Sequence, residues 1–224
     1  MSLVILIDLD DTLTDRSAAF DAWALRFLTA HDQPVDELGH LRELDRRGVC
    51  PREEFFALAS AHLGLGLDIS TELAAYRATT ATPPLHQGVR ERLSAMRAHG
   101  GIVVVLTNGF AATQRRKLVS TGMLNSLDDV IISEEVGLAK PDPRVYRLAL
   151  DRVGASTARD EVWMVGDNPE TDIKGALASG LHAAWVSPMG AGWQDLPRPD
   201  LILPSTAACL DKIVSGSVAS LGDC

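Results

Sequence analysis

The chain carries 224 residues, 46% hydrophobic and 23% charged, with a formal net charge of −9. These proportions suit a folded chain of one domain, or a core with one insertion, and exclude a disordered segment. The acidic balance excludes a broad interface for a nucleic-acid polymer and a polybasic membrane contact, since both need a basic surface.

The chain opens with "LVILIDLDDTLT", Leu3–Thr14. Leu3–Leu9 reads as a strand buried on both faces, because its apolar residues are continuous rather than alternating. It runs into Asp8, Asp10 and Asp11, with Asp15 close behind. Unpaired carboxylates repel one another and are costly to remove from water. A positive charge must therefore sit there, or the segment is solvated.

From Asp15 to Pro83 the pattern is helical only. Phe20, Trp23, Ala24, Phe27 and Leu28 form one apolar stripe at helical spacing. Pro51 opens a second helix with Phe55, Leu58 and Leu63 inward, and Asp68 caps a third that carries Leu73 and Tyr76. "TPPLHQG", Thr82–Gly88, is a linker back to the core.

Strands and helices then alternate. Val89, Leu93 and Met96 set an inward face within Gly88–His99, and Ile102–Leu106 reads as a strand. Val130–Ile132 is a third strand. Asp142 caps a helix to Val153 with Pro143 at its first position, where a missing amide costs nothing. Val162–Val165 is a strand, Thr171–Ser179 a helix stopped by Gly180, and Ala183–Val186 a strand. Ser215–Cys224, small and polar, reads as frayed. The alternation predicts a doubly wound parallel α/β sheet, formed by 1–14 and 84–224, with a helical cap of 15–83 inserted after the first strand.

In open parallel sheets, ligands bind beyond the carboxyl ends of the strands. Asp8, Asp10, Asp11 and Thr12 follow the first strand; Thr107, Asn108 and Gly109 follow the second. Gly166, Asp167 and Asn168 follow "VWMV", with Glu170 and Asp172 just beyond, and Lys140 precedes the helix capped by Asp142. Acids from two strands, a hydroxyl from another and one lysine thus share the expected end of the sheet.

The order "DLDDT", "LTNG", "AKPDP", "GDNPETD" resembles the haloacid dehalogenase superfamily, mostly its phosphatases. "TNGF…Q…KL…TG" and "ISEEVGLAKPDP" are similar, more narrowly, to its nucleotidase and sugar-phosphate phosphatase branch with a helical cap. The resemblance implies a core of that family's α/β type and a Mg²⁺-dependent phosphomonoester hydrolase acting on a small phosphorylated metabolite, a nucleotide or sugar phosphate. It implies Asp8 as nucleophile, forming an aspartyl-phosphate, and Asp10 as general acid and then base. Asp8, the backbone carbonyl of Asp10, and Asp167 would bind Mg²⁺, with Asp172 and Asn168 holding its waters or orienting Lys140. Thr107 and the amide of Asn108 would hold the phosphoryl oxygens, and Lys140 would neutralise phosphate and nucleophile. The Asp11 position is glycine in many relatives; here the aspartate is expected to face solvent or cap the following turn.

Blander roles suit other residues. Thr12 serves equally as a capping hydroxyl or as a functional contact, and Asp15 as a cap. Arg16, Arg46, Arg47 and Arg52 belong by default to a solvated face, though each could grip the far end of a substrate. Phe20, Trp23 and Phe27 read as core. The six histidines show no ligand spacing, and Gly64–Gly66 and Gly190–Gly192 are too short to be phosphate loops. Three alternatives stay open: a metal-free hydrolytic dehalogenase, a phosphomutase, and a phosphoacceptor signalling domain. Cys50, Cys209 and Cys224 lie far apart without a CxxC pair, which excludes a disulfide framework or a structural zinc site. With no signal peptide and no apolar run near the ~18–20 residues of a membrane span, the expectation is a cytoplasmic protein away from membranes. It is taken as a monomer, with a dimer open.

Overall fold

Among the described residues of this computed structural model, 2–187 and 197–221, six short runs form strands. They are β1 Leu3–Ile7, β2 Ile102–Thr107, β3 Asp129–Ile132, β4 Glu161–Gly166, β5 His182–Val186 and β6 Leu201–Leu203. Gly190–Gly192 and Cys224 lie outside the described residues. All the strands pair in parallel, in the order β3-β2-β1-β4-β5-β6. The order reverses between β1 and β4, so a crevice is expected beyond the ends of those two strands. This order differs from the 2-1-3-4-5 of receiver-type sheets, which removes the main support for a phosphoacceptor signalling domain.

Ten helices accompany the strands among the described residues: α1 Arg16–Ala30, α2 Leu38–Asp45, α3 Arg52–Leu63, α4 Ile69–Thr79, α5 Val89–Ala98, α6 Ala111–Thr121, α7 Ser133–Val136, α8 Pro143–Arg152, α9 Gly175–Ala178 and α10 Thr206–Leu221. The chain divides into two compact units, one of 1–15 with 85–224 and one of 16–84.

In the first unit the sheet is covered on both faces, which accounts for the unbroken apolar runs. Ile5, Ile7, Val103, Val105 and Val165 pack with Val89, Leu93 and Met96 of α5 and with Cys209, Leu210 and Ile213 of α10. Val4, Leu6, Val104, Ile131 and Met164 turn the other way, onto Val145, Tyr146 and Ala149 of α8 and onto Ala176 of α9. Each fully buried aliphatic or aromatic side chain contributes about 1.5–3 kcal/mol by leaving water. Asp142 caps α8 by accepting from the Arg144 amide, as its place before Pro143 predicts. The helix expected from Thr171 begins earlier, as a π-helical turn over Pro169–Lys174 that leads into α9.

The reading of Ser215–Cys224 as frayed is wrong through Leu221, where α10 continues. Its Ser217 is buried and donates to Glu161 Oε2 at 2.7 Å, which ties the helix to the first residue of β4. Small polar residues can extend a helix when one face docks on a sheet.

The second unit is built on rings. Trp23 lies between Phe20, Phe27, Phe55, Phe56 and Tyr76, with centroid distances of 5.0–5.8 Å. Most meet edge to face, a geometry that adds about 0.5–1.5 kcal/mol per pair beyond the area buried. On α3 the inward residues are Phe55, Phe56 and Ala59. Leu58, expected inside, is 38% exposed, and Leu63 is half-buried. The adjacent phenylalanines took the face one residue away. Beneath the rings Arg16 donates to both oxygens of Asp45, at 2.6 and 2.7 Å, and Arg52 adds a contact of 2.6 Å. Arg16 and Arg52 are thereby structural cations of this unit. Burial alone would raise the Asp45 carboxyl, but the two guanidinium groups outweigh it and hold Asp45 below the usual carboxylate range.

Candidate active site

The turn after β1 carries the acids. The amide of Asp8 donates to Val165 O at 3.0 Å, which ties the residue after β1 to β4. The chain then folds back tightly: the amides of Leu13 and Thr14 and the Thr14 hydroxyl all donate to Leu9 O. This turn places Asp11 in the left-handed region, at φ 56°. Glycine enters that region freely and aspartate tolerates it, so both residues suit the position. The expectation that Asp11 faces solvent is not met, because the turn packs it to 8% exposure.

Lys140 reaches the acids from the loop before α8. It is 4% exposed, and its Nζ lies 2.6 Å from Asp8 Oδ1 and 2.7 Å from Asp172 Oδ1. Asn108 holds that loop at two points: its Nδ2 donates to Lys140 O and its Oδ1 accepts from the Lys140 amide, both at 2.9 Å. The Asn108 side chain therefore positions the lysine, and its backbone amide is the group that stays assigned to substrate.

Asp167 and Asp172 follow β4. The carbonyl of Asp167 accepts from Trp185 Nε1 at 2.9 Å, and Thr12 Oγ1 approaches Asp167 Oδ1 at 3.4 Å. Asp172 has no exposed surface; its Oδ2 accepts from the Asn168 amide at 3.0 Å while its Oδ1 meets Lys140. The Asn168 side chain caps the π-helical turn by accepting from the amides of Glu170 and Thr171. Asn168 thus acts on Lys140 only through Asp172. Gly166 makes room for the arrangement, since a Cβ there would lie 2.3 Å from Asp172 Oδ2.

One oxygen from each of Asp8, Asp167 and Asp172 lies within 4.8 Å of the others, and all three residues are buried. Burial pushes the Asp8 carboxyl up to about 7; Lys140 opposes this and the Asp172 and Asp10 carboxylates reinforce it. Burial alone would lower the Lys140 ammonium, yet Asp172 and Asp8 together raise it above its ordinary value. Lys140 is therefore a fixed cation. Such a set of hard oxygen donors, short of positive charge, fits a hard divalent cation.

Two residues that the sequence reading quotes in "TNGF…Q…KL…TG" but gives no role adjoin these groups. Lys117 Nζ lies 2.7 Å from each carboxylate oxygen of Asp10. Gln114 Nε2 contacts Asp10 Oδ2 at 3.0 Å and Thr107 Oγ1 at 2.8 Å. With Leu118 and Thr121 they form the buried face of α6. Two long polar side chains on an inward stripe at helical spacing were a readable signal.

A family model described as haloacid dehalogenase-like hydrolase matches residues 3–180. A phosphoserine phosphatase of Thermus thermophilus is 40% identical over 136 residues, 60% of this chain and 54% of that protein. The pyrimidine 5'-nucleotidase YjjG of Escherichia coli is 40% identical over 100 residues, 45% of this chain and 44% of that protein. The matched region thus spans about half the length of these relatives. Among solved structures, the HAD-hydrolase YfnB of Bacillus subtilis, bound to magnesium, superposes with a TM-score of 0.79 at 23% identity, covering 94% of this chain and 98% of that one. The L-2-haloacid dehalogenase RSc1362 shares the fold at a TM-score of 0.70 and 23% identity, over 95% of this chain and 98% of that one.

Proposed function

This chain belongs to the haloacid dehalogenase-like hydrolases, and from that premise we propose that it hydrolyses phosphate monoesters of a small metabolite, a nucleotide or sugar phosphate, through an aspartyl-phosphate on Asp8. The observation that carries the reading is the second carboxylate, Asp10, held by Lys117 and Gln114 beside Thr107. Displacing halide needs no second acid. Expelling an alkoxide does, because the leaving oxygen must take a proton. The named phosphatase and nucleotidase relatives support the same reaction class.

In this mechanism the Asp8 carboxylate attacks phosphorus while Asp10 gives a proton to the leaving oxygen. Water then attacks the acyl phosphate, and Asp10 takes its proton. The Thr107 hydroxyl and the Asn108 amide hold the phosphoryl oxygens, and Lys140 offsets the charge gathering between phosphate and nucleophile. Asp172 and the Asn168 amide keep Lys140 in line.

Four carboxylates, Asp8, Asp10, Asp167 and Asp172, share the site with two ammonium groups, Lys117 and Lys140. With Asp10 carrying the proton it gives to the leaving oxygen, three negative charges stand against two positive, and this excess of negative charge suits a divalent cation. Mg²⁺ fits the all-oxygen set; Asp8, the Asp10 carbonyl and Asp167 would hold it, and it would offset charge on the phosphoryl oxygens.

Turnover of an aryl phosphate with Mg²⁺ tests the reading. Asp8→Asn is expected to lower kcat by at least about 10³-fold, as removal of a covalent nucleophile does. Full activity in Asp8→Asn removes the proposal. Activity toward a 2-haloacid that persists in EDTA favours the dehalogenase instead, and conversion of a sugar phosphate to its isomer without phosphate release favours the mutase.

A further inference from the structure

Gln114 is 2% exposed and Lys117 is 8% exposed, depths at which a polar side chain is retained only with partners. Their partners come from two different loops. Lys117 grips Asp10 on the turn after β1; Gln114 reaches the same carboxylate and also Thr107, the last residue of β2. The Gln114 Nε2 can only donate, and it carries two hydrogens. The nearer acceptors, Thr107 Oγ1 at 2.8 Å and Asp10 Oδ2 at 3.0 Å, take them, and Asn108 O lies farther off at 3.3 Å. Thr107 Oγ1 thus accepts from Gln114, and its single proton must point elsewhere. Here it is directed at Asn108 O over 3.3 Å, a long contact that a phosphoryl oxygen can replace.

Resting on the aspartyl-phosphate reading above, we propose that Gln114 and Lys117 are positioning residues that lock Asp10 and Thr107 into one frame. Lys117 stops the Asp10 carboxylate from rotating away from the leaving oxygen. Gln114 aims the Thr107 hydroxyl hydrogen outward and fixes the distance between the two groups. The frame matters because proton transfer and phosphoryl binding occur on one substrate, and a misplacement near 1 Å can cost about 10²-fold.

The test uses the full chain with Mg²⁺ and two esters, p-nitrophenyl phosphate and phenyl phosphate, whose leaving groups differ in their need for a proton. Lys117→Met is expected to leave KM within about threefold and to lower kcat by about 10- to 100-fold, more steeply for phenyl phosphate. Lys117→Arg, which can still donate to both oxygens, should recover most of that loss. Gln114→Met keeps the length of the side chain, loses both hydrogens and adds no charge, and should lower kcat on both esters; urea unfolding of the variant separates this loss from misfolding.

Unchanged kcat in Lys117→Met and Gln114→Met overturns the proposal, as does an equal loss on both esters in Lys117→Met with no recovery in Lys117→Arg. Wild-type protein that turns over neither ester and acquires no phosphate at Asp8 overturns the parent reading, and this one with it. Active wild-type protein with unaffected variants overturns this one alone.

Discussion

Lys140 and Asp172 meet at 2.7 Å in the interior, with 4% and 0% of their surfaces exposed. A buried ion pair adds little net stability, but breaking one leaves an uncompensated charge and costs about 3–5 kcal/mol. The pair holds because each partner has further contacts: Lys140 has Asp8, and Asp172 has the Asn168 amide. The lysine is thereby aimed at Asp8 by the fold itself, so the cost of ordering it falls on folding.

The pair depends on a missing side chain. In Gly166→Ala the new methyl group would lie 2.3 Å from Asp172 Oδ2, so Asp172 must move and Lys140 with it. Activity is expected to fall about 10²-fold, with a loss of about 1–3 kcal/mol in stability. Steady-state kinetics and urea unfolding check both. A variant of full activity would mean that Lys140 is not held by Asp172.

Cation and proton should compete at Asp8. Burial pushes this carboxyl up to about 7, against about 3.9 for an unfolded aspartate. The folded state then binds the proton more tightly, so this group adds stability as pH falls from above about 7 towards about 4. Mg²⁺ needs the carboxylate, so its stabilising effect should be larger at about pH 8 than at about pH 5.5. Thermal unfolding in EDTA and in excess Mg²⁺ at the two pH values measures this; equal gains in Tm would show that Asp8 is not a ligand.

Asp45 behaves with the opposite sign. Its folded pKa lies below the unfolded value, so its contribution is present above about pH 4 and is lost as pH falls through the depressed value. Asp45→Asn leaves Arg16 and Arg52 without their carboxylate and should cost about 3–5 kcal/mol at neutral pH. Urea unfolding at about pH 7 and at successively lower pH checks it, since the difference from wild type should shrink as pH falls through the depressed value.

Strands with both faces buried, such as Val4–Ile7 and Val103–Leu106, announced themselves as continuous apolar runs. Acids at the strand ends were legible for the same reason, because polar residues break those runs abruptly; Lys140 was legible from its place before the helix capped by Asp142. Three-residue β6 was not, since Leu201–Leu203 is only half-buried and too short to show a period. Gln114 and Lys117 stood in a quoted motif but received no role, because a polar residue on a helix is read as solvated unless its neighbours on the same face are weighed. Leu58 misled by being apolar at a position where Phe55 and Phe56 already filled the core. The left-handed backbone at Asp11 comes from the fold-back of the turn onto Leu9 O, which no composition reveals.

β1 precedes the other described strands along the chain, yet its neighbours in the sheet are β2, beginning at Ile102, and β4, beginning at Glu161. Pairings so distant along the chain are slow to close, because the loop entropy is lost before any contact forms. The helices of 16–84 are contiguous and can condense while synthesis continues. The cluster around Asp8 therefore assembles late in translation: Asp8 waits for a lysine about 130 residues behind it and for Asp167 and Asp172, more distant still.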